Sequence, residues 1–94
     1  METYYIIRGD RSGVFAGHIK ERNGREVVIT DVRRLWYWEG AATLSQMAID
    51  GVAVPQNCKF TVVVPEITIL DAIEILPCSD KAEMSIREVP VWMM

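Results

Sequence analysis

Histidine occurs once in these 94 residues and cysteine twice, so the side chains most used for metals, nucleophiles and proton transfer are scarce. A zinc site wants about four Cys or His ligands, or three and a water. His18, Cys58 and Cys78 cannot fill one within a single chain. Neither cysteine has the histidine at a telling spacing, which leaves a thiol enzyme without its base. The six glycines form neither a GxGxxG fingerprint nor a Walker loop. Carboxylates are plentiful, yet Glu66, Asp71 and Glu74 flank apolar strand residues without an acid–base or metal spacing. The expectation is a protein that is not an enzyme and takes no cofactor and no metal. With no CxxC, the two cysteines are expected to be free thiols.

Long apolar runs are missing too. None approaches the roughly 20 residues that cross a bilayer, and METYYIIRGD lacks the basic start and apolar core of a signal peptide. Basic charge is in deficit, with a net charge of −3. No global positive field draws the chain to nucleic acid, so any anion site is local and built from a few arginines. A cytoplasmic protein without a membrane partner is expected.

What is present is apolar. Half the residues are hydrophobic, whereas a domain this small buries only about 60 % of its unfolded surface. A homo-oligomer is one outlet for the excess. The chain reads as one domain over residues 1–94. Asn23-Gly24 lies between two β-rich runs and suits a type I′ hairpin turn. Setting Arg22 opposite Arg25 pairs Phe15 with Val32, Gly17 with Thr30 and Ile19 with Val28 on one face, and His18 with Ile29 on the other. Thr43-Leu-Ser-Gln46 has capping-box spacing ahead of a short helix that Gly51 ends, with Ala41, Leu44, Met47 and Ala48 as its buried stripe. A loop around Pro55 leads to a strand over residues 59–64. A longer strand follows over residues 66–76, with a bulge, bend or end near Asp71. Asp80-Lys-Ala-Glu83 reads as a second capping box, before a helix with Ala82, Ile86 and Val89 on one face. In the final VPVWMM, Trp92 is expected to dock on the barrel or on a neighbour. Together these make an α+β domain, a small, strongly bent antiparallel sheet or half-open SH3-like or Sm-like barrel with two short helices.

The candidate site is RRLWYWEGAATLSQ, residues 33–46. Strand alternation puts Arg34 on the face of Trp36 and Trp38, and Arg33 with Leu35 and Tyr37. A guanidinium beside indoles suits a nucleotide, the aromatics stacking on the base and the arginine forking onto a phosphate. The helix start beside it adds Thr43, Ser45 and Gln46 as polar contacts, and Lys59 reads either as an ordinary exposed lysine or as a second phosphate contact. The same aromatics would serve equally as core or interface anchors.

GVFAG, RRLWYWEGAATLSQMAIDG, NCKF and VPVW, taken in that order, resemble a family of small, uncharacterised proteins encoded by tailed phages and prophages. The likeness runs over residues 13–92. It implies a phage setting in the cytoplasm of the infected bacterial host, and names no reaction. In that setting, an oligomeric sponge that sequesters a small nucleotide-type host-defence signal is the first expectation. The alternatives are an interaction module that inhibits a host protein, an Sm-like RNA binder, or a structural virion or assembly component.

Overall fold

The computed structural model describes residues 2–93; Met94, the last residue of the apolar tail, lies outside them. Six strands and two helices follow in the order β1 Tyr5–Gly9, β2 Val14–Asn23, β3 Glu26–Tyr37, α1 Leu44–Asp50, β4 Lys59–Phe60, β5 Val64–Ile69, β6 Ala72–Pro77 and α2 Asp80–Glu88. The strands form one antiparallel sheet in the order β4-β3-β2-β1-β6, with β5 also on β3. β3 is long enough to carry two partners end to end, β5 along residues 27–32 and β4 along residues 35–37.

β5 and β6 therefore lie on opposite edges of the sheet, yet only Leu70 and Asp71 separate them in sequence. Such a short joint forces the sheet to curl until its edges approach. The joint is fastened at both sides, Asp10 N–H donating to Asp71 O and Ala72 N–H to Arg25 O. The result is a strongly bent, half-open α+β fold, as the sequence predicts. The expected strand over residues 66–76 is in fact two, broken at Asp71. The expected strand over residues 59–64 ends at Phe60.

Two apolar clusters occupy the two faces. Ile7, Phe15, Val27, Ile29, Val32 and Ile69 fill the inside of the curl. Tyr4, Ile6, Ala16, Leu35, Phe60 and Cys58 pack on the other face against Met47 and Ala48 of α1 and Ile86 of α2. Adjacent pairs such as Ile6-Ile7 and Phe15-Ala16 are apolar because both faces of these strands are covered.

The hairpin register differs from the expected one. The turn centres on Gly24 and Arg25, with Asn23 opposite Glu26. Gly24 has φ +63° and Arg25 is not among the positive-φ residues, so glycine holds the first central place, as in a type II′ turn. Two irregularities then displace the pairs, so that Ile19 faces Ile29, His18 faces Thr30 and Phe15 faces Arg34. At one of them Asp31 adopts φ +53° opposite Gly17. A Cβ on Gly17 would stand 2.7 Å from Thr30 O and 2.8 Å from the Ile29 Cγ2. Only glycine fits that close approach.

Candidate functional site

Arg33 is the largest fully buried side chain, with 2 % of its surface exposed. Its guanidinium donates to five backbone carbonyls: Thr61 O (2.9 Å), Phe60 O (3.2 Å), Ile86 O (2.8 Å), Val89 O (2.9 Å) and Arg87 O (3.5 Å). Three of these lie at the end of α2, where unpaired carbonyls and the negative end of the helix dipole attract a cation. Burial pulls the Arg33 pKa down, and the neighbouring Tyr4 opposes this. Of the two arginines offered as a phosphate contact, Arg33 is the one whose donors hold α2 and the tail to β3 and β4.

A bulge rearranges the aromatics that follow. Leu35 faces Phe60 and Tyr37 faces Lys59, so two steps on β3 match one step on β4, and Trp36 is the extra residue. The bulge turns Tyr37 away from Arg33 and Leu35, contrary to simple alternation. Trp36 is 65 % exposed and Tyr37 46 %, whereas Trp38 is half-buried against the core beside Ala41 and Leu44. Trp38 therefore does not share a binding face with Arg34. Tyr37 donates to Glu39 Oε2 (3.1 Å), and this bond, with the carboxylate's charge, raises the phenol's pKa. The Lys59 ammonium lies 5.9 Å from the Tyr37 ring centre and 5.5 Å from that of Trp92. Trp92 is tied to its own chain by its backbone N–H, which donates to Phe60 O (2.9 Å).

Arg34 faces outward on the opposite side of β3 from Arg33. Its guanidinium carbon lies 4.7 Å from the centre of the buried Phe15 ring, and Nη1 donates to Ser12 O (3.0 Å). Beside it runs an open groove of about 480 Å³, walled by Arg11, Ser12, Ile67, Ile69, Leu70 and Asp71 among others. The loop at its rim is pinned by Asp71, whose carboxylate accepts from Ser12 Oγ (2.6 Å), Arg11 N–H (2.8 Å) and Ser12 N–H (3.0 Å). The Ser12 hydroxyl, then the Arg11 amide, hold the Asp71 carboxyl below its usual range. Sequence reasoning did not single out Arg11, Ser12 or Phe15. The signal was the pairing of Phe15 with Arg34, hidden by the register error.

The helix residues have local roles. Thr43 Oγ1 accepts from Gln46 N–H (3.1 Å) and caps α1. Gln46 Oε1 reaches back to Ala42 N–H (3.0 Å), one residue further than a standard box. Ser45 is exposed. The second helix is capped by Ser79, not Asp80, its hydroxyl accepting from Ala82 N–H (3.0 Å). The single predicted pocket is thus divided among the Arg34 groove, the Tyr37–Lys59–Trp92 row and the α1 cap.

A further polar cluster escaped notice in the sequence. Arg87 pairs with Asp31 (2.7 Å) and Glu83 (2.8 Å), donates to His18 Nε2 (3.1 Å) and lies 4.7 Å above the Tyr4 ring. His18 Nδ1 is 3.0 Å from Thr3 O, which makes it the donor there. Burial pushes the Tyr4 phenol up to about 12, against the pull of Arg87 and Arg33. Burial likewise pushes the free Cys78 thiol up to about 11, with Glu83 adding to it. Among the described residues no group of three or more His, Cys, Asp or Glu could hold a metal ion, and no helix is long and apolar enough to cross a membrane.

Residues 2–86 match the family model described as Domain of unknown function (DUF6948). The chain belongs to this family. No curated protein and no solved structure matches it.

Proposed function

We propose that this DUF6948 chain is a non-catalytic binding protein that holds a small, anionic, planar ligand of the nucleotide type in the groove beside Arg34. One observation carries the reading: the Arg34 guanidinium lies over Phe15 in a groove walled by both apolar and polar side chains, with one hydrogen bond to protein made by its guanidinium among the described residues. The remaining N–H groups are a preorganised fork for phosphate or carboxylate, and the guanidinium plane is a stacking surface for a base. The groove falls within the range of about 300–1,000 Å³ usual for small-ligand sites. Ile67, Ile69 and Leu70 suit a ring or ribose edge, and Ser12 and Thr68 add hydroxyls.

Stacking on this reading falls to the Arg34 plane and the β5 wall rather than to Trp36 and Trp38. The phage setting implied by the sequence resemblance makes a host nucleotide signal the first ligand class to try, and sequestration the role. A homo-oligomer belongs to the same proposal. Isothermal titration with a panel of linear and cyclic nucleotides tests it. Arg34→Ala should keep its fold and weaken binding about 10- to 100-fold, the worth of one charge-assisted hydrogen-bonded contact. An affinity unchanged by Arg34→Ala would refute the assignment.

A further inference from the structure

The row Tyr37–Lys59–Trp92 lies apart from the Arg34 groove and has a different chemistry. Lys59 faces Tyr37 across the β3–β4 ladder, and the tail adds a third strand beside β4 through the parallel bridge between Phe60 and Val91. An aromatic, a lysine and an aromatic are thereby set side by side across the end of β3, β4 and the tail. Phe60, next to Lys59 on β4, is fully buried, so the Lys59 side of this small sheet is the outer one.

Three features make the row more than scattered exposed residues. The Trp36 bulge aims Tyr37 outward, and the Tyr37 hydroxyl is then fixed by Glu39, itself held by Asn57 Nδ2 (3.4 Å). The ammonium lies within cation–π range of both rings. Lys59 also makes no salt bridge among the described residues, whereas Lys20 and Lys81 each contact a carboxylate. Large exposed side chains flank the row in the chain: Trp36, next to Tyr37, is 65 % exposed, and Met93, next to Trp92, 71 %. Exposed aromatic and methionine side chains beside a lysine whose neighbouring carboxylate, Glu39, is engaged by Tyr37 and Asn57 are the composition of an interface centre, not of ordinary surface.

We infer that this face is a protein-docking surface whose partner presents one carboxylate, from Asp, Glu or a chain terminus, surrounded by apolar side chains. The carboxylate meets the Lys59 ammonium that the rings already hold in place, and the partner's apolar groups cover Trp36, Trp92 and Met93.

The test is selection of a random displayed-peptide library on the wild-type protein, followed by fluorescence anisotropy of the selected peptides with point variants. Selected peptides should share an acidic residue flanked by apolar ones. Lys59→Ala should weaken them about tenfold or more while Lys59→Arg retains binding. Arg34→Ala should leave them unaffected, which separates this surface from the ligand groove. Peptides without an acidic residue, or equal binding by Lys59→Ala, would overturn the inference. So would a symmetric dimer in solution that Trp92→Ala returns to monomer.

Discussion

Arg33 places a full charge where the rest of the core is hydrocarbon, and the five carbonyls around it explain why the fold tolerates this. Removing it takes the donor from Val89 O and Thr61 O, each costing about 1–3 kcal/mol, while Phe60 O and Ile86 O keep a backbone donor. Arg33→Ala should therefore destabilise the protein by about 3 kcal/mol or more, and Arg33→Met should not rescue it; urea denaturation measures both. A loss below about 1 kcal/mol would mean that water satisfies those carbonyls instead. Tyr4 and Cys78 make a second residue-scale prediction. Both have folded pKa values raised by burial, to about 12 and about 11. Below the unfolded values of these groups the stabilisation is complete; as pH rises above them the unfolded chain loses protons first, so stability falls. Loss should begin near pH 9, where the unfolded Cys78 thiol titrates, and continue as Tyr4 follows. Cys78→Ala should flatten the first part of that decline in denaturation curves taken across alkaline pH. At neutral pH the Cys78 thiol should react slowly with disulfide reagents, because little thiolate forms.

The elements divide into those governed by neighbouring residues and those governed by distant ones. Both helices were legible in the sequence because their signals are local: Thr43 and Gln46 start α1, Gly51 at φ +76° ends it, and Ala82 and Ile86 form the buried stripe of α2, with Val89 just past its end. Even there the second cap lay one residue earlier, at Ser79, whose hydroxyl also donates to Ile49 O (2.6 Å) and ties the helices together. Thr43→Ala should cost about 1 kcal/mol. Ser79→Ala should cost more, since it removes a cap and an interhelix bond; chemical denaturation of the two variants gives the comparison. The strand pairs were less legible. Their faces follow from alternation only while the ladder is regular, and bulges near Gly17, Lys20 and Trp36 break it. Those bulges answer to curvature of the whole sheet, which no short stretch of sequence encodes. Gly17→Ala tests one of them: its methyl would press on Thr30 O and Ile29, and a loss of about 1–3 kcal/mol is expected. A neutral Gly17→Ala would show that the close approach is not a constraint.

At the scale of the molecule, the decisive feature is the joint at Leu70 and Asp71. It brings β5 round to the Arg11–Ser12 loop and so creates the groove beside Arg34. Alternation alone puts Arg33 and Arg34 on opposite faces of the strand, but it does not say which of the two is buried. It could not see that Trp38 turns inward, that Lys59 joins Tyr37 and Trp92, or that Phe15 underlies Arg34, because each depends on a bulge or on strands distant in sequence. The fold thus separates one expected pocket into the groove beside Arg34 and the aromatic row at Lys59, with the buried Arg33 tying α2 and the tail to β3 and β4. The most direct measurement is native mass spectrometry of the wild-type protein and Arg34→Ala after incubation with a panel of nucleotides and cyclic nucleotides. The wild type should carry a bound mass of nucleotide size that Arg34→Ala, equally folded, does not. Equal uptake by both proteins, or no uptake by either, would contradict a ligand groove built on Arg34.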